Sequence, residues 1–281
     1  MDRIKKQVEE SPYGRALGVQ LERVDEEGAV LHLPYQDANS NPGGVLHGGC
    51  AASIGVIAGE AIAGAALGAD AGPFHNAQAQ VSYLAAAIGE DVVAEARLLR
   101  RGRELCFVET EIRTSAGKPI AKVTTTVRGL FGRPSSERPV SAGDHGRADP
   151  GVMGPIIGKV PFIGNRGIGV EHMTDGTSRL VMPLQEDNRD LSGGIHEGAL
   201  VALLDTTGAM ASWAEAGPGN NKASTASMQI QILGPAPATD LVAYGRCVHN
   251  DNEIYWSDVD VADAAGGRIH ARGTVLYRIV K

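Results

Sequence analysis

The segment Asn41-x-x-Gly44-x-x-His47-Gly48-Gly49 combines glycines with two polar side chains just before a long apolar stretch, a pattern that could bind a negatively charged oxygen. The first N–H groups of a helix lack partners, and the helix dipole favours negative charge there. Gly48 at such a turn could therefore receive a developing oxyanion, while Gly44 and Gly49 let a ligand approach the backbone. Asn41 could hydrogen-bond a substrate or water, and His47 could orient the loop. The alternative is an ordinary capping loop with a structural histidine.

A second candidate is Asp205, which lies inside the apolar run 199–207. A carboxylate among apolar residues is costly unless it is paired or takes part in chemistry. The alternative is a solvent-facing residue of an amphipathic helix. Because apolar residues flank Asp205 on both sides, we expect a functional carboxylate.

The two candidates belong to two copies of one pattern, which recurs 149 residues further along the chain. His47 returns as His196 and Gly49 as Gly198, and we expect this offset to hold without a gap from about residue 34 to residue 130. So long a period indicates two fused domains of one fold. The copies differ at three informative pairs: Gly48 and Glu197, Val56 and Asp205, and Glu60 and Ala209.

Helix geometry indicates that an active site must draw on both copies. His196 and Asp205 are nine residues apart, and nine helical residues span ~13.5 Å. The two side chains of one copy therefore cannot reach the same reacting carbon. Two antiparallel helices, related by an approximate two-fold axis, remove this difficulty. The sequence predicts one composite site that joins the loop and Gly48 of the first copy to Asp205 of the second.

The reciprocal site would use Asp190, His196 and Glu197 from the second copy and Val56 from the first. It has lost both the acid and the glycine turn, so we expect it to be degenerate. Glu60 lies one helical turn after Val56. It either serves that site as a displaced acid or pairs with an arginine as a structural residue.

The combined pattern resembles the hotdog-fold acyl-CoA thioesterases of the phenylacetate-pathway (PaaI-like) type, over nearly all of both halves. The resemblance implies that the Gly48 N–H binds the thioester carbonyl, and that Asp205 acts as general base or nucleophile. It implies that Thr225, at the start of the following strand, helps to position water, with Asn76 as its equivalent in the first copy. It also implies an acyl-CoA substrate and no metal or cofactor. The first half departs from the family pattern at Val56. The second half departs from it at Asp190 and Glu197, the two replacements described above.

The elements that must position these residues follow the order β-β-α-β-β-β-β in each copy. The first copy has expected strands at 19–24, 29–34, 78–85, 92–99, 105–114 and 120–130, and one helix at 48–68. The second copy repeats this order around a helix at 197–216. The pattern predicts an α+β protein of two hotdog domains in tandem, each a curved antiparallel sheet wrapped around one long helix. The expected boundaries are a first domain at 1–132, a linker at 133–154 and a second domain at 155–281.

Composition narrows the class of protein. A net charge of -7 disfavours a nucleic-acid surface, and 3 cysteines make no disulfide framework. The polar start of the chain lacks an apolar signal core, so we expect a cytoplasmic protein. The apolar range 48–67 contains Glu60, which favours a buried helix over a membrane span.

Contacts with the substrate's phosphates and with other chains are harder to predict. Arg100 and Arg101 belong to the densest basic cluster and could receive the phosphates of coenzyme A, or they could be a solvated strand end. We find no spacing of metal ligands. We expect a homo-oligomer of the double unit. Two functions compete with hydrolysis: hydration or dehydration of an acyl thioester, and acyl-CoA binding without catalysis.

Overall fold

The computed structural model describes residues 2–280 except 145, 147, 220, 236 and 266. The first half starts with helix α1 (Asp2–Lys5), a π-helical turn (Lys6–Glu10) and helix α2 (Pro12–Leu17). Then come strands β1 (Gln20–Val24) and β2 (Gly28–Leu33), a 3-10 turn (Asp37–Asn39), the short strands β3 (Ser40–Asn41) and β4 (Val45–Leu46), and helix α3 (Gly48–Leu67). A 3-10 turn (Ala69–Ala71) leads to strands β5 (Phe74–Tyr83), β6 (Val92–Arg101), β7 (Leu105–Thr114) and β8 (Pro119–Gly129).

The second half repeats this plan. It contains helices α4 (Gly154–Ile157) and α5 (Pro161–Asn165), strands β9 (Gly169–Thr174) and β10 (Thr177–Met182), a 3-10 turn (Glu186–Asn188) and helix α6 (Glu197–Ala216). It ends with strands β11 (Lys222–Ile232), β12 (Leu241–Asn250), β13 (Ile254–Asp263) and β14 (Ile269–Val280). The predicted α+β class and order of elements are confirmed, and the helix predicted at 197–216 has the observed bounds of α6.

Twelve strands form one antiparallel sheet in the order β1-β2-β6-β7-β8-β5-β11-β14-β13-β12-β10-β9. The two halves join where β5 pairs with β11. Gln80 pairs there with Gln229, its own counterpart in the repeat. On either side, Val81 pairs with Met228 and Ala79 with Ile230. The halves are therefore related by an approximate two-fold axis that passes between the two glutamines.

The sheet pairing corrects the gapless repeat. Val108 pairs with Thr125 in the first half, whereas its counterpart Ser257 pairs with Val275 in the second. A Cβ on Gly59 would meet Thr125, and one on the equivalent Gly208 would meet Val275. Beyond the last hairpin the offset is therefore one residue longer, because the β13–β14 turn holds one residue more than the β7–β8 turn.

Helices α3 and α6 cross antiparallel in the core, where small residues let them approach. A Cβ on Gly49 would lie 2.6 Å from the Ala202 Cβ. The Ser53 hydroxyl donates to the Gly198 carbonyl of the other helix at 2.9 Å. By length and hydropathy α3 could cross a membrane, but 78% of its apolar window is buried within this fold. Its apolar character therefore fits the predicted core helix.

The expected linker lies against the second half. The Ile269 N–H donates to the Pro139 carbonyl at 2.7 Å, and the Ser141 N–H donates to the Gly267 carbonyl at 2.8 Å. Asp144 accepts two hydrogen bonds from the Arg179 guanidinium at 2.6 and 2.7 Å. These contacts fix part of the linker along the β13–β14 turn and the sheet, so its Pro-, Ser- and Gly-rich composition does not leave it detached.

Candidate active site

Both long helices start at a histidine that acts as an N-cap. The Gly49 N–H donates to His47 Nδ1 at 3.0 Å, and the Gly198 N–H donates to His196 Nδ1 at 2.9 Å. Burial lowers the pKa of each imidazole to about 4. Both rings are therefore neutral at pH 7, and Nδ1 of each is engaged in the cap. This arrangement agrees with the role of orienting the loop and disfavours histidine as the general base.

Each histidine stacks on an aromatic ring from the opposite half. His47 stacks on Phe162 with ring centroids 4.4 Å apart, and His196 stacks on Tyr13 at 4.8 Å. Tyr13 and Phe162 are themselves counterparts in the repeat, on α2 and α5. We did not identify them in the sequence, although extending the offset upstream of residue 34 would have aligned the two rings.

The loop before α3 turns sharply at glycine. Gly44 has φ +72°, a conformation that favours glycine, and its carbonyl accepts from the Gly89 N–H at 2.9 Å. Asn41 pairs with Val45 in the β3–β4 hairpin and is partly exposed. The loop is therefore braced by backbone contacts that leave the Asn41 side chain at its rim.

Asp205 of α6 lies against Gly48 of α3. A Cβ built on Gly48 would lie only 2.9 Å from Asp205 Oδ2. The Thr225 hydroxyl donates to Asp205 Oδ1 at 2.8 Å. The carboxylate is 3% exposed, and its burial raises the pKa to about 6, against the lowering effect of the Thr225 hydrogen bond. We call Gly48, Asp205 and Thr225, with the loop before α3, the first composite site.

The Gly48 N–H is available at this site. The Gly49 N–H is bound to the His47 side chain, and the Cys50 N–H donates to the His47 carbonyl at 2.9 Å. In the part of the chain that the structure describes, no partner is found for the Gly48 N–H, and Gly48 is partly exposed. The site thus offers one unengaged donor beside a buried carboxylate.

Two tyrosines that sequence reasoning missed border this site. The Tyr83 hydroxyl donates to the Gly48 carbonyl at 3.2 Å. Tyr277 lies opposite Thr225 in the sheet and accepts a hydrogen bond from Trp213 Nε1 at 3.3 Å. Burial raises the pKa of both hydroxyls, Tyr277 to about 12, and the nearby Asp205 charge adds to the effect. No sequence signal separates these tyrosines from ordinary strand residues.

The reciprocal arrangement, which we call the second composite site, differs in kind. Glu197 stands in place of the glycine, and its Oε2 accepts from the Asn76 N–H at 2.9 Å and from Asn76 Nδ2 at 2.8 Å. Asn76 Nδ2 also lies 3.3 Å from Glu60 Oε1. Val56, in the place of the acid, is fully buried. Of the two expectations for Glu60, pairing with an arginine is therefore wrong, since its partners are Asn76 and another acid.

Asp190 is held by its own loop. Its Oδ1 accepts from the N–H and the hydroxyl of Ser192 at 2.7 Å each, and from the Gly194 N–H at 3.1 Å. The acid that replaces Asn41 in the second copy thus closes a turn.

Arg100 and Arg101 lie far from the first composite site. They end β6, and Arg101 borders a surface depression together with Leu67, the last residue of α3. Gly48 begins that helix of 20 residues, which spans ~30 Å. Arg101 faces Glu26 at 3.9 Å in an exposed pair. The expectation that these arginines bind the substrate at this site is corrected, because β6 carries them to the opposite end of the domain.

Among the residues that the structure describes, no group of three or more His, Cys, Asp or Glu side chains could hold a metal ion.

The fold and its central helices define a double hotdog protein. A tesB protein of Mycobacterium avium subspecies paratuberculosis is similar over 96% of this chain and 100% of its own, with a TM-score of 0.68 and 13% identity. A conserved hot dog protein of unknown function from Alicyclobacillus acidocaldarius covers 90% of this chain and 93% of its own, with a TM-score of 0.60 and 17% identity. At such identities the similarity shows the fold.

Sequence comparison finds one family model that matches part of the first half. Residues 36–131 match the family model described as the acyl-CoA thioesterase N-terminal domain. The acyl-CoA thioesterase II TesB2 of Mycobacterium marinum is similar in structure, with a TM-score of 0.63 and 11% identity over 94% of this chain and 95% of its own. No curated protein matches the chain in sequence.

Proposed function

We propose that this protein hydrolyses an acyl-CoA thioester to a free acid and coenzyme A at the first composite site. The observation that carries the proposal is the contact between the Asp205 carboxylate of one half and Gly48 of the other, beside the unengaged Gly48 N–H. The match of residues 36–131 to an acyl-CoA thioesterase family supports the substrate class. The two structural relatives named as tesB or TesB2 proteins are consistent with it.

The residues suggest a division of labour. The thioester carbonyl oxygen accepts a hydrogen bond from the Gly48 N–H, at the positive end of α3. Thr225 holds Asp205 Oδ1, which leaves Oδ2 on the Gly48 side to act on water or on the carbonyl carbon. Because Asp205 has a pKa of about 6, it is roughly nine-tenths ionised at pH 7 and still basic enough to accept a proton.

Two routes fit this geometry. As a base, Asp205 takes a proton from water while the hydroxide adds to the carbonyl carbon. The C–S bond then breaks, and the proton passes from Asp205 to the departing sulfur. As a nucleophile, Asp205 adds to the carbon, the thiolate leaves, and water hydrolyses the resulting mixed anhydride. This chemistry corresponds to the PaaI-like type that the motif resembles.

The proposal extends to the number of sites and to assembly. We propose one working site per chain, since the second composite site carries Val56 in place of the acid and Glu197 in place of the glycine. We also propose a cytoplasmic homo-oligomer of the double unit, which light scattering would test.

Release of free thiol tests the function directly. A panel of short, medium, long and aromatic acyl-CoAs is incubated with wild type and with Asp205→Asn, and thiol is followed with a colorimetric reagent. We expect Asp205→Asn to lower turnover by at least ~10³-fold. Glu215→Gln, which alters an exposed acid on the same helix, should keep wild-type activity.

The contrary outcomes are distinct. Near-wild-type turnover by Asp205→Asn would show that another residue is the acid. Absence of thiol release from every substrate, with ligand binding in calorimetry, would favour a non-catalytic binder. A change in enoyl absorbance without thiol release would favour a hydratase.

A further inference from the structure

The second composite site contains a bridge between the two halves. Glu197, the first residue of α6, extends from the second half to Asn76 on β5 of the first half. One of its oxygens accepts both the backbone and the side-chain N–H groups of Asn76. Glu197 is 7% exposed and Asn76 is fully buried. A buried carboxylate that accepts two hydrogen bonds makes one of the stronger polar contacts found in proteins.

A second acid completes this bridge. Glu60 of α3 lies beside the Glu197 carboxyl group, because Asn76 Nδ2 donates to oxygens of both acids, at 3.3 Å to Glu60 and 2.8 Å to Glu197. Two carboxyl groups can share a hydrogen bond only when one of them holds a proton. Burial, then the charges of Glu197 and Asp190, raise the pKa of Glu60 well above its usual range. Burial raises the pKa of Glu197 as well, so the two carboxyl groups hold a proton between them.

Among the described residues, no cation acts on either acid of this pair. The charged neighbours that act on Glu60 are both acids, Glu197 from α6 and Asp190 from the loop before it. From β5 the pair meets the Asn76 amide. Strand β8 contributes Thr125 and Val127, which are uncharged and lie next to Gly59 of α3. The shared proton is thus what keeps the two carboxyl groups together.

The sequence changes of this site fit one another. In the first composite site a side chain on residue 48 would collide with Asp205, since its Cβ would lie 2.9 Å from Oδ2. At the second site Val56 carries no carboxylate, which leaves room for the Glu197 side chain. At the first site the carboxylate belongs to the middle of a helix, at residue 205. At the second site it belongs to the start of α6, at Glu197, where it connects the two halves.

We propose that Glu60, Glu197 and Asn76 form a shared-proton brace that fixes the start of α6 to the first half and thereby positions Asp205 against Gly48. Glu197 and Asp205 lie eight residues apart on one helix, a rise of ~12 Å, so a shift of the first turn is carried along the helix. The three are positioning residues. Their effect on catalysis rests on the proposed function, whereas their effect on the interface does not.

Three variants and three measurements separate these effects. Glu197→Ala removes the brace, while Glu197→Gln and Glu60→Gln keep its hydrogen bonds without a shared proton. Amide hydrogen exchange of the first two turns of α6 reports the brace itself. We expect exchange at least ~10-fold faster in Glu197→Ala and near wild type in Glu197→Gln. Thiol release should show a kcat about tenfold lower in Glu197→Ala with KM within about twofold, and rescue in Glu197→Gln.

Thermal unfolding between about pH 5 and pH 9 tests whether the folded protein holds a proton on this pair of acids. Because the folded state raises the pKa of Glu60, it holds a proton that the unfolded state has lost, so wild-type stability falls as pH rises above the ordinary glutamate pKa. Glu60→Gln should flatten that decline. This variant decides the question even if Glu197→Ala does not fold.

The brace is overturned if Glu197→Ala exchanges like wild type, or if Glu60→Gln shows the wild-type decline with pH. A protein that releases no thiol from any acyl-CoA refutes the proposed function instead, because exchange and unfolding would still follow the brace.

Discussion

A single methyl group on Gly48 should remove most of the activity without unfolding the protein. In Gly48→Ala the new Cβ would lie 2.9 Å from Asp205 Oδ2 and 3.4 Å from the Tyr83 ring, and a Cβ is essentially never found closer than 3.0 Å to another atom. Thr225 holds the other carboxylate oxygen at 2.8 Å. The carboxylate must therefore shift away from residue 48.

The size of the effect follows from this displacement. A Cβ that lies 2.9 Å from Oδ2 needs ~0.5 Å more to reach an ordinary contact of 3.4 Å, and a reacting group moved by about 1 Å loses roughly 10²-fold in rate. We therefore expect kcat/KM for thiol release to fall about tenfold, which corresponds to about 1.4 kcal/mol of transition-state stabilisation. Gly48 is partly exposed and is not among the residues with positive φ. The melting temperature of Gly48→Ala should therefore stay close to that of wild type.

The neighbouring glycine provides a matched control. A Cβ on Gly49 would lie 2.6 Å from the Ala202 Cβ, within the α3–α6 contact. Gly49→Ala should therefore destabilise the fold by about 1–3 kcal/mol, as overpacking does. If Gly48→Ala keeps kcat/KM within about threefold of wild type, or loses stability as Gly49→Ala does, our account of the first composite site is wrong.

Four further predictions address pH, the buried Arg166 side chain and the second site. The kcat of wild type should rise with pH through an acid limb near 6, the pKa to which burial raises Asp205; a pH-independent kcat between about pH 5 and pH 7 would contradict this. Because that raised pKa makes the ionised folded state less favourable, Asp205→Asn should be more stable than wild type at pH 7 but not at pH 4, as thermal unfolding will test. The Arg166 side chain is buried, donates to the Asp187 carbonyl at 2.6 Å and lies over the Tyr13 and Phe162 rings, so Arg166→Leu should lower the unfolding free energy by about 1–3 kcal/mol; an unchanged or higher unfolding free energy would refute this. Val56→Asp with Glu197→Gly, placed on the inactive Asp205→Asn background, should restore part of the thiol release, and a folded triple variant with no gain would mean that these two positions are not sufficient.

Much of the fold could be predicted because its signals are local or repeated. The helix at α6 has its predicted bounds, since an apolar run with a clear start and end defines a helix without knowledge of its partners. The offset of 149 residues placed Gly48 and Asp205 in different halves, and helix length alone required the halves to meet. These inferences use distances along one element, which the sequence contains.

The remaining features depend on contacts between distant segments. The Glu60 and Glu197 pair was not foreseen as a pair, because only the crossing of α3 and α6 brings them together. The expectation that Arg100 and Arg101 bind the substrate uses their charge alone. The direction of β6 places them at the opposite end of the domain from Gly48. The extra residue in the last hairpin was hidden, because the spacing of similar residues does not reveal which residues face each other across two strands.

Because both halves belong to one chain, each is encoded by its own stretch of the gene, and this affects how the protein can evolve. In a symmetric dimer of identical chains, one codon specifies both members of every related pair, so replacing the glycine at one helix start would replace it at the other. Here Gln80 and Gln229 occupy the same axis but are encoded separately. Each half can therefore accumulate its own substitutions, and a substitution that inactivates one composite site leaves the other composite site unchanged.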